Sequence, residues 1–169
     1  MLTMSRGGHT LKRVRIPRHL LHVQLDDLGA SENARGELRA LLADLPLVPQ
    51  ASDSAILVGP PATTLPSLAV LARHVGQGLR DHNLSIAADR QRLRLERRKL
   101  IFLDAEALEQ ALASGDEQPS REAALFVTAP TPRVLELLAD REVSGLVSFV
   151  TSIKPVAALA SWRQIDLSS

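Results

Sequence analysis

The feature that most limits what this chain can become is a set of short, unbroken apolar runs separated by helix-length segments. They read SAILVG (54–59), KLIFL (99–103), AALFVT (123–128) and GLVSFVTS (145–152). Each is shorter than a typical helix. None alternates with polar residues, so neither face can be turned to water. That pattern marks strands covered on both sides, as in a parallel sheet. The intervening segments supply the covers. In ASENARGELRALLADL (30–45), Ser31 can cap, and Ala34, Leu38, Leu41, Leu42 and Leu45 recur at helical spacing until Pro46 and Pro49 stop the helix. Residues 65–82 read as a second helix with Pro66 in its first turn, where a missing N–H costs little. DAEALEQALA (104–113) is a third, capped by Asp104, and TPRVLELLADRE (131–142) a fourth, with Thr131 capping and Pro132 leading. SGDEQPSRE (114–122) reads as loop and WRQIDL (162–167) as a last strand. The expected fold is therefore α/β, a three-layer α/β/α arrangement around a mostly parallel five-stranded sheet.

Residues 84–99 are harder to place. LSIA (84–87) is a further strand candidate, followed by RQRLRLERRK (90–99). The alternation Arg92-Leu93-Arg94-Leu95 favours an added basic hairpin, although a helix also accommodates it. A hairpin puts Arg92 and Arg94 on one face and Leu93 and Leu95 on the other. Arg90, Arg92, Arg94, Arg97, Arg98 and Lys99 outnumber Asp89 and Glu96. The segment reads either as a solvated edge strand, where arginine discourages edge pairing, or as a contact surface for phosphates or an acidic partner. Residues 1–15 read as a basic flexible arm containing Gly7-Gly8 and Lys12, Arg13 and Arg15. Through residue 24 the arm and its continuation carry five cations and no acid. The arm is either a solubilising tail or a second phosphate or acidic-partner contact. Residues 16–169 form the single folded domain.

Composition excludes several classes. The 169 residues carry a net charge of +1, so nothing draws the whole chain to nucleic acid or membrane. Three Phe, one Trp and no Tyr leave little for base-stacking platforms. Without cysteine there is no disulfide, thiol nucleophile or cysteine metal site, which fits a reducing cytoplasm. No apolar run approaches the roughly 20 residues that span a bilayer. His9, His19, His22, His74 and His82 have no compact metal spacing. His19 and His22 with Asp26 or Asp27 are an imaginable site, but surface or packing roles fit them better.

The run ILVGPPATTLPSLAVLARHV (56–75) has the outline of a phosphate loop: apolar strand, glycine turn, apolar helix. A working loop reads G-x-x-x-x-G-K-[ST]. Gly59 matches the first glycine, and Pro60 and Pro61 follow it. Thr64 stands for the second glycine, Leu65 for the lysine and Pro66 for the hydroxyl residue. Thr adopts the cradle backbone poorly, Leu offers no charge, and Pro offers neither hydroxyl nor N–H. Together with IPRHLLHVQLDDL (16–28), KLIFLDAEALEQAL (99–112), AALFVTAP (123–130) and GLVSFVTSIKP (145–155), this run makes the stretch from Ile16 to Leu167 resemble the nucleotide-binding core of the helicase-loader and transposition ATPases, the DnaC/IstB branch of the AAA+ superfamily. The resemblance implies a sheet of the P-loop NTPase type. It also implies an acidic pair where this chain has Val127-Thr128-Ala129-Pro130, and a Ser-Asn sensing pair where it has Ser152-Ile153. With lysine, metal hydroxyl and carboxylate all missing, the expectation is a pseudo-ATPase without cofactor or metal, leaving at most weak anion binding at the Leu65 helix start. Such a chain would act as a protein-interaction or regulatory module, docking on a protein partner such as an AAA+ ATPase or helicase. The alternative is a nucleic-acid-binding accessory protein of replication, recombination or transposition, using segments 12–18 and 90–99.

Overall fold

The computed structural model describes residues 16–89 and 100–168. Five parallel strands form one sheet: β1 (Ala55–Val58), β2 (Leu100–Asp104), β3 (Ala124–Thr128), β4 (Val147–Ser152) and β5 (Arg163–Asp166). Their order across the sheet is β2-β3-β4-β1-β5. The first strand is therefore interior, and the last lies outside it. The register places Leu57 opposite both Thr151 and Ile165, and Phe126 opposite both Phe102 and Phe149.

Both faces are covered, as the unbroken apolar runs require. On one face Leu57, Phe126, Phe149 and Ile165 pack against α1 (Glu32–Asp44) and α2 (Pro61–Asp89) through Leu38, Leu41, Leu68, Leu71 and Val75. On the other, Ile56, Leu125, Val127 and Val150 pack against α3 (Ala105–Ala113) and α5 (Pro132–Val143) through Leu108, Val134, Leu137 and Leu138. A four-residue helix, α4 (Gln118–Arg121), lies within the segment expected to be loop. All three phenylalanines form one row across β2, β3 and β4, with ring centroids 6.3 and 5.1 Å apart. The aromatic side chains are thus used inside the protein: Trp162 is buried too, its Nε1–H donating to Glu142 Oε2 at 3.0 Å.

Two expected boundaries are corrected. Helix α2 starts at Pro61, not at Leu65, and runs unbroken through residues 84–87, which were expected as a strand. No glycine or proline interrupts the chain between Gly78 and the end of this helix. The short apolar alternation there yields to the cooperativity of a helix already nucleated and packed. Beyond Leu79, none of residues 80–85 is buried. Pro66 consequently lies in the second turn of α2, where it removes an intrahelical N–H. Ser67 Oγ bonds the Thr63 carbonyl at 2.8 Å close by.

The segment leading into α1 is fastened by arginines of α1 and α2 that donate to its backbone carbonyls. Arg35 Nη1 donates to Ala30 O at 2.7 Å, and Arg73 donates to the carbonyls of Leu21 and Val23. Arg141 is the extreme case. Fully buried in α5, it donates through Nε to Ser148 Oγ at 2.9 Å and through Nη1 to Pro119 O and Glu122 O, both at 2.8 Å. Its Nη2 donates to Val147 O. It therefore ties α4, α5 and the start of β4 together. Burial pushes its guanidinium down to about 10, and the nearby Glu122 carboxylate opposes that shift.

Candidate functional site

In open α/β sheets, ligand sites form beyond the carboxyl ends of the strands, where successive connections leave in opposite directions. Here that point lies between β1 and β4. The chain leaves β1 for the helix layer containing α2 and travels to the far edge strand β2. The later connections step back on the other face, and β4 passes across β1 to β5. The loops after β1, β3 and β4 meet at this edge. Gly59 N–H donates to Ser152 O at 2.9 Å, and Ala129 N–H donates to Thr151 O at 2.9 Å.

The stretch that resembles a phosphate loop has little left with which to hold an anion. Pro60, Pro61 and Pro66 have no N–H. Gly59 N–H is bonded to Ser152, and the N–H groups of Thr63 and Thr64 both bond Pro60 O, at 2.9 and 3.0 Å. From Gly59 to Thr64, only Ala62 keeps an N–H without a backbone acceptor. Thr64 is buried, and Leu65 and Pro66 are half-buried within the helix. The helix start expected at Leu65 as an anion site is therefore interior to α2. Gly59 itself has a different reason to be glycine. Its φ is +153°, and a Cβ there would lie 3.0 Å from Leu167 C, 3.1 Å from Leu167 O and 3.2 Å from Ser168 N. The backbone after β5 presses on it.

The ends of the other strands are equally plain. Asp104, at the end of β2, uses Oδ1 to accept from Ala107 N–H at 2.8 Å, which caps α3. At the end of β3, Ala129 is exposed with φ +51°, an uncommon conformation for a residue with a side chain. At the end of β4, Ile153 is 67% exposed, and Lys154 N–H donates to Ser152 Oγ at 3.4 Å. Asp166, at the end of β5, is held below the usual carboxylate range by hydrogen bonds from the Ser168 side chain and backbone. Lys154 and Arg133 are exposed and form no ion pair with a described residue. Neither was singled out from the sequence, since lone surface cations leave no pattern there.

His19 and His22 lie exposed in or beside the short turn Arg18–Leu20. Among the described residues, no three His, Cys, Asp or Glu side chains are grouped to hold an ion, and no helix is long and apolar enough to cross a membrane. Lys12, Arg13, Arg15, Arg90, Arg92, Arg94, Arg97, Arg98 and Lys99 lie outside the described residues, as do the flexible arm and the basic hairpin expected around them. Comparison with protein families, curated proteins and solved structures finds no match to this chain.

Proposed function

We propose that this chain is a non-catalytic binding module: a pseudo-ATPase of P-loop ancestry that works as a rigid platform for a protein partner, such as an AAA+ ATPase or helicase, in the cytoplasm. The observation that carries this reading is the state of residues 59–66. A triphosphate cradle needs several converging N–H groups and a cation. This stretch offers one free N–H, three prolines and a leucine at the lysine position. The end of β3 adds no carboxylate to hold Mg²⁺, since Thr128, Ala129 and Pro130 stand there. The cysteine-free composition suits a reducing compartment.

The basic segments supply candidate contacts. Six of the ten residues 90–99 are cations, and so are Lys12, Arg13 and Arg15. They fit an acidic protein surface, and they also fit phosphates, which makes a nucleic-acid accessory role the competing reading. Titration of labelled DNA at several salt concentrations separates the two. Phosphate binding weakens steeply with salt and is relieved by Arg92→Ala with Arg94→Ala.

Nucleotide provides the direct test. A ligand at about a hundredfold excess over its Kd stabilises the folded state by about 2.7 kcal/mol. That corresponds to a rise of roughly 5–10 °C in Tm for a domain of this size. Millimolar ATP with Mg²⁺ is expected to leave Tm unchanged within error, and a rise of several degrees would end the pseudo-ATPase reading.

A further inference from the structure

We propose that residues 16–30 are a latch: a strap across α1 and α2 that opens as one unit while the sheet stays folded, uncovering an apolar surface on those helices. Such a device is independent of whether the chain binds nucleotide, and it adds a concealed surface to the exposed basic segments.

The strap holds two short turns, Arg18–Leu20 and Leu25–Asp27, and neither an α-helix nor a strand. Among the described residues, the backbone bonds donated by Leu20, Leu21, Asp27 and Leu28 all end on carbonyls of the strap itself, and none joins it to another element. Other connections are tied differently. Gly59 N–H and Ala129 N–H donate to carbonyls of β4, and Ala51 N–H donates to Gly145 O at 3.1 Å. The strap is held by side chains. Arg73 of α2 donates to the carbonyls of Leu21 and Val23, and Arg35 of α1 to those of Leu28 and Ala30. Its buried apolar residues are Leu20, Leu28 and Ala30, set in the cluster that includes Leu38 and Leu41 of α1 and Leu68 and Leu71 of α2. Lifting the strap therefore breaks no bond of the sheet ladder. A segment with few buried side chains and no backbone ladder to the core opens at a lower free energy than the core does.

The principal fastener is itself incompletely satisfied. Arg73 Nε is shut off from water and has no acceptor among the described residues. A buried donor without a partner costs free energy, and more so on a charged group. Lifting the strap lets water reach that N–H, so opening returns part of its own cost. The third arginine contact adds little: Arg39 and Asp26 meet at 3.4 Å with both side chains more than half exposed. The closed state thus depends on Arg73, on Arg35 and on three apolar side chains. What opening uncovers is the part of the α1 and α2 cluster that Leu20, Leu28 and Ala30 help to cover.

Native-state hydrogen exchange of the full chain, followed residue by residue in low, increasing urea, tests this. The reporters are the amides of Leu20, Leu21, Gln24, Asp27 and Leu28 in the strap and of Phe149 and Val150 in β4. The five strap amides are expected to share one opening constant, about tenfold or more above that of β4. They should also share one urea dependence, smaller than that of β4 but not zero, because three apolar side chains become exposed. Asp104→Ala, on the other face of the sheet, is expected to raise the β4 constant about fivefold and leave the strap constant unchanged. Arg73→Met is expected to raise the strap constant about tenfold or more, and that of β4 by the same factor, since global opening includes strap opening. Should that variant fail to fold, the wild type and Asp104→Ala still decide. The latch is overturned if the strap amides share the β4 constant and urea dependence, or if Asp104→Ala raises both constants together, because the strap then leaves only on global unfolding. It is equally overturned if the five amides exchange separately without urea dependence, as fraying turns do, or if Arg73→Met leaves the strap constant unchanged.

Discussion

Replacing Arg141 with methionine isolates what a buried guanidinium contributes when its partners are carbonyls. The side chain has no solvent exposure and donates four hydrogen bonds, three of them to the carbonyls of Pro119, Glu122 and Val147. Methionine fills a similar length but donates nothing. Each buried carbonyl left without a donor costs about 1–3 kcal/mol. Against this, the variant no longer buries a cation. The lowering of Arg141 to about 10 means that burial penalises the charged form more than its surroundings repay it. Replacing a whole buried ion network by apolar groups can be neutral, but here the acceptors stay behind. The net expectation is a loss of about 2–4 kcal/mol, a large share of the roughly 5–15 kcal/mol that holds a domain together. Urea unfolding followed by far-UV circular dichroism measures it. Trp162 fluorescence, reporting from beside Glu142, shows whether the region around α5 loosens first. A loss below about 1 kcal/mol would refute the argument that these carbonyls depend on Arg141. The pH dependence has a definite sign. The folded-state value, about 10, lies below the ordinary arginine range, so in the window above about pH 10 the folded chain releases a proton that the unfolded chain keeps. The wild-type contribution from this group therefore improves as pH rises through that window and is least favourable at neutral pH, where the ion is buried charged.

The remaining expectations concern the strand ends. Gly59→Ala should destabilise by about 2 kcal/mol or more in urea unfolding, because the new methyl meets backbone of Leu167 and Ser168 that cannot swing away. Nucleotide plays no part in that loss, so it should be the same with and without ATP. Ala129→Gly should be neutral to stabilising by up to about 1 kcal/mol, since glycine accepts φ +51° without the side-chain penalty. Asp104→Ala removes the α3 cap and should cost about 1 kcal/mol, whereas Asp104→Asn, which can still accept from Ala107 N–H, should cost much less.

The layers were legible because burial on both faces leaves a mark on composition. Residues 54–59, 123–128 and 145–152 had no polar alternation, and all three became central or near-central strands. Caps were equally readable: Ser31, Asp104 and Thr131 each accept from a backbone N–H three residues on, as their positions before apolar periodic segments suggest. Such signals are local, and the physics that decides them acts within one turn. Residues 84–87 failed for the opposite reason. Four residues of mixed polarity carry little information, and what fixed them was the long helix already packed on the sheet ahead of them. The place of Arg141 was illegible too. Its partners come from residues 119, 122, 147 and 148, brought around it only by the tertiary fold, and a Leu-Leu-Ala-Asp-Arg-Glu helix end looks like any solvated one.

The same contrast governs the candidate site. Sequence spacing could register what residues 59–66 lacked, since a missing lysine is a local fact. It could not register what the edge had gained. An isoleucine after one strand, an alanine after another and two prolines after a third become a surface only when the order β3-β4-β1 sets their loops side by side. On the reading proposed above, the sheet gathers loops at that edge without gathering the N–H groups a phosphate would need. With prolines in place of donors, the gathered loops offer little to a phosphate, and the edge carries Asp104 and Asp166 as well as Lys154 and Arg133, so its charge does not restore what the loop has lost. The two readings of the chain part on salt: binding of labelled DNA should fall steeply as salt is raised, whereas a protein contact made mainly of apolar groups should change little.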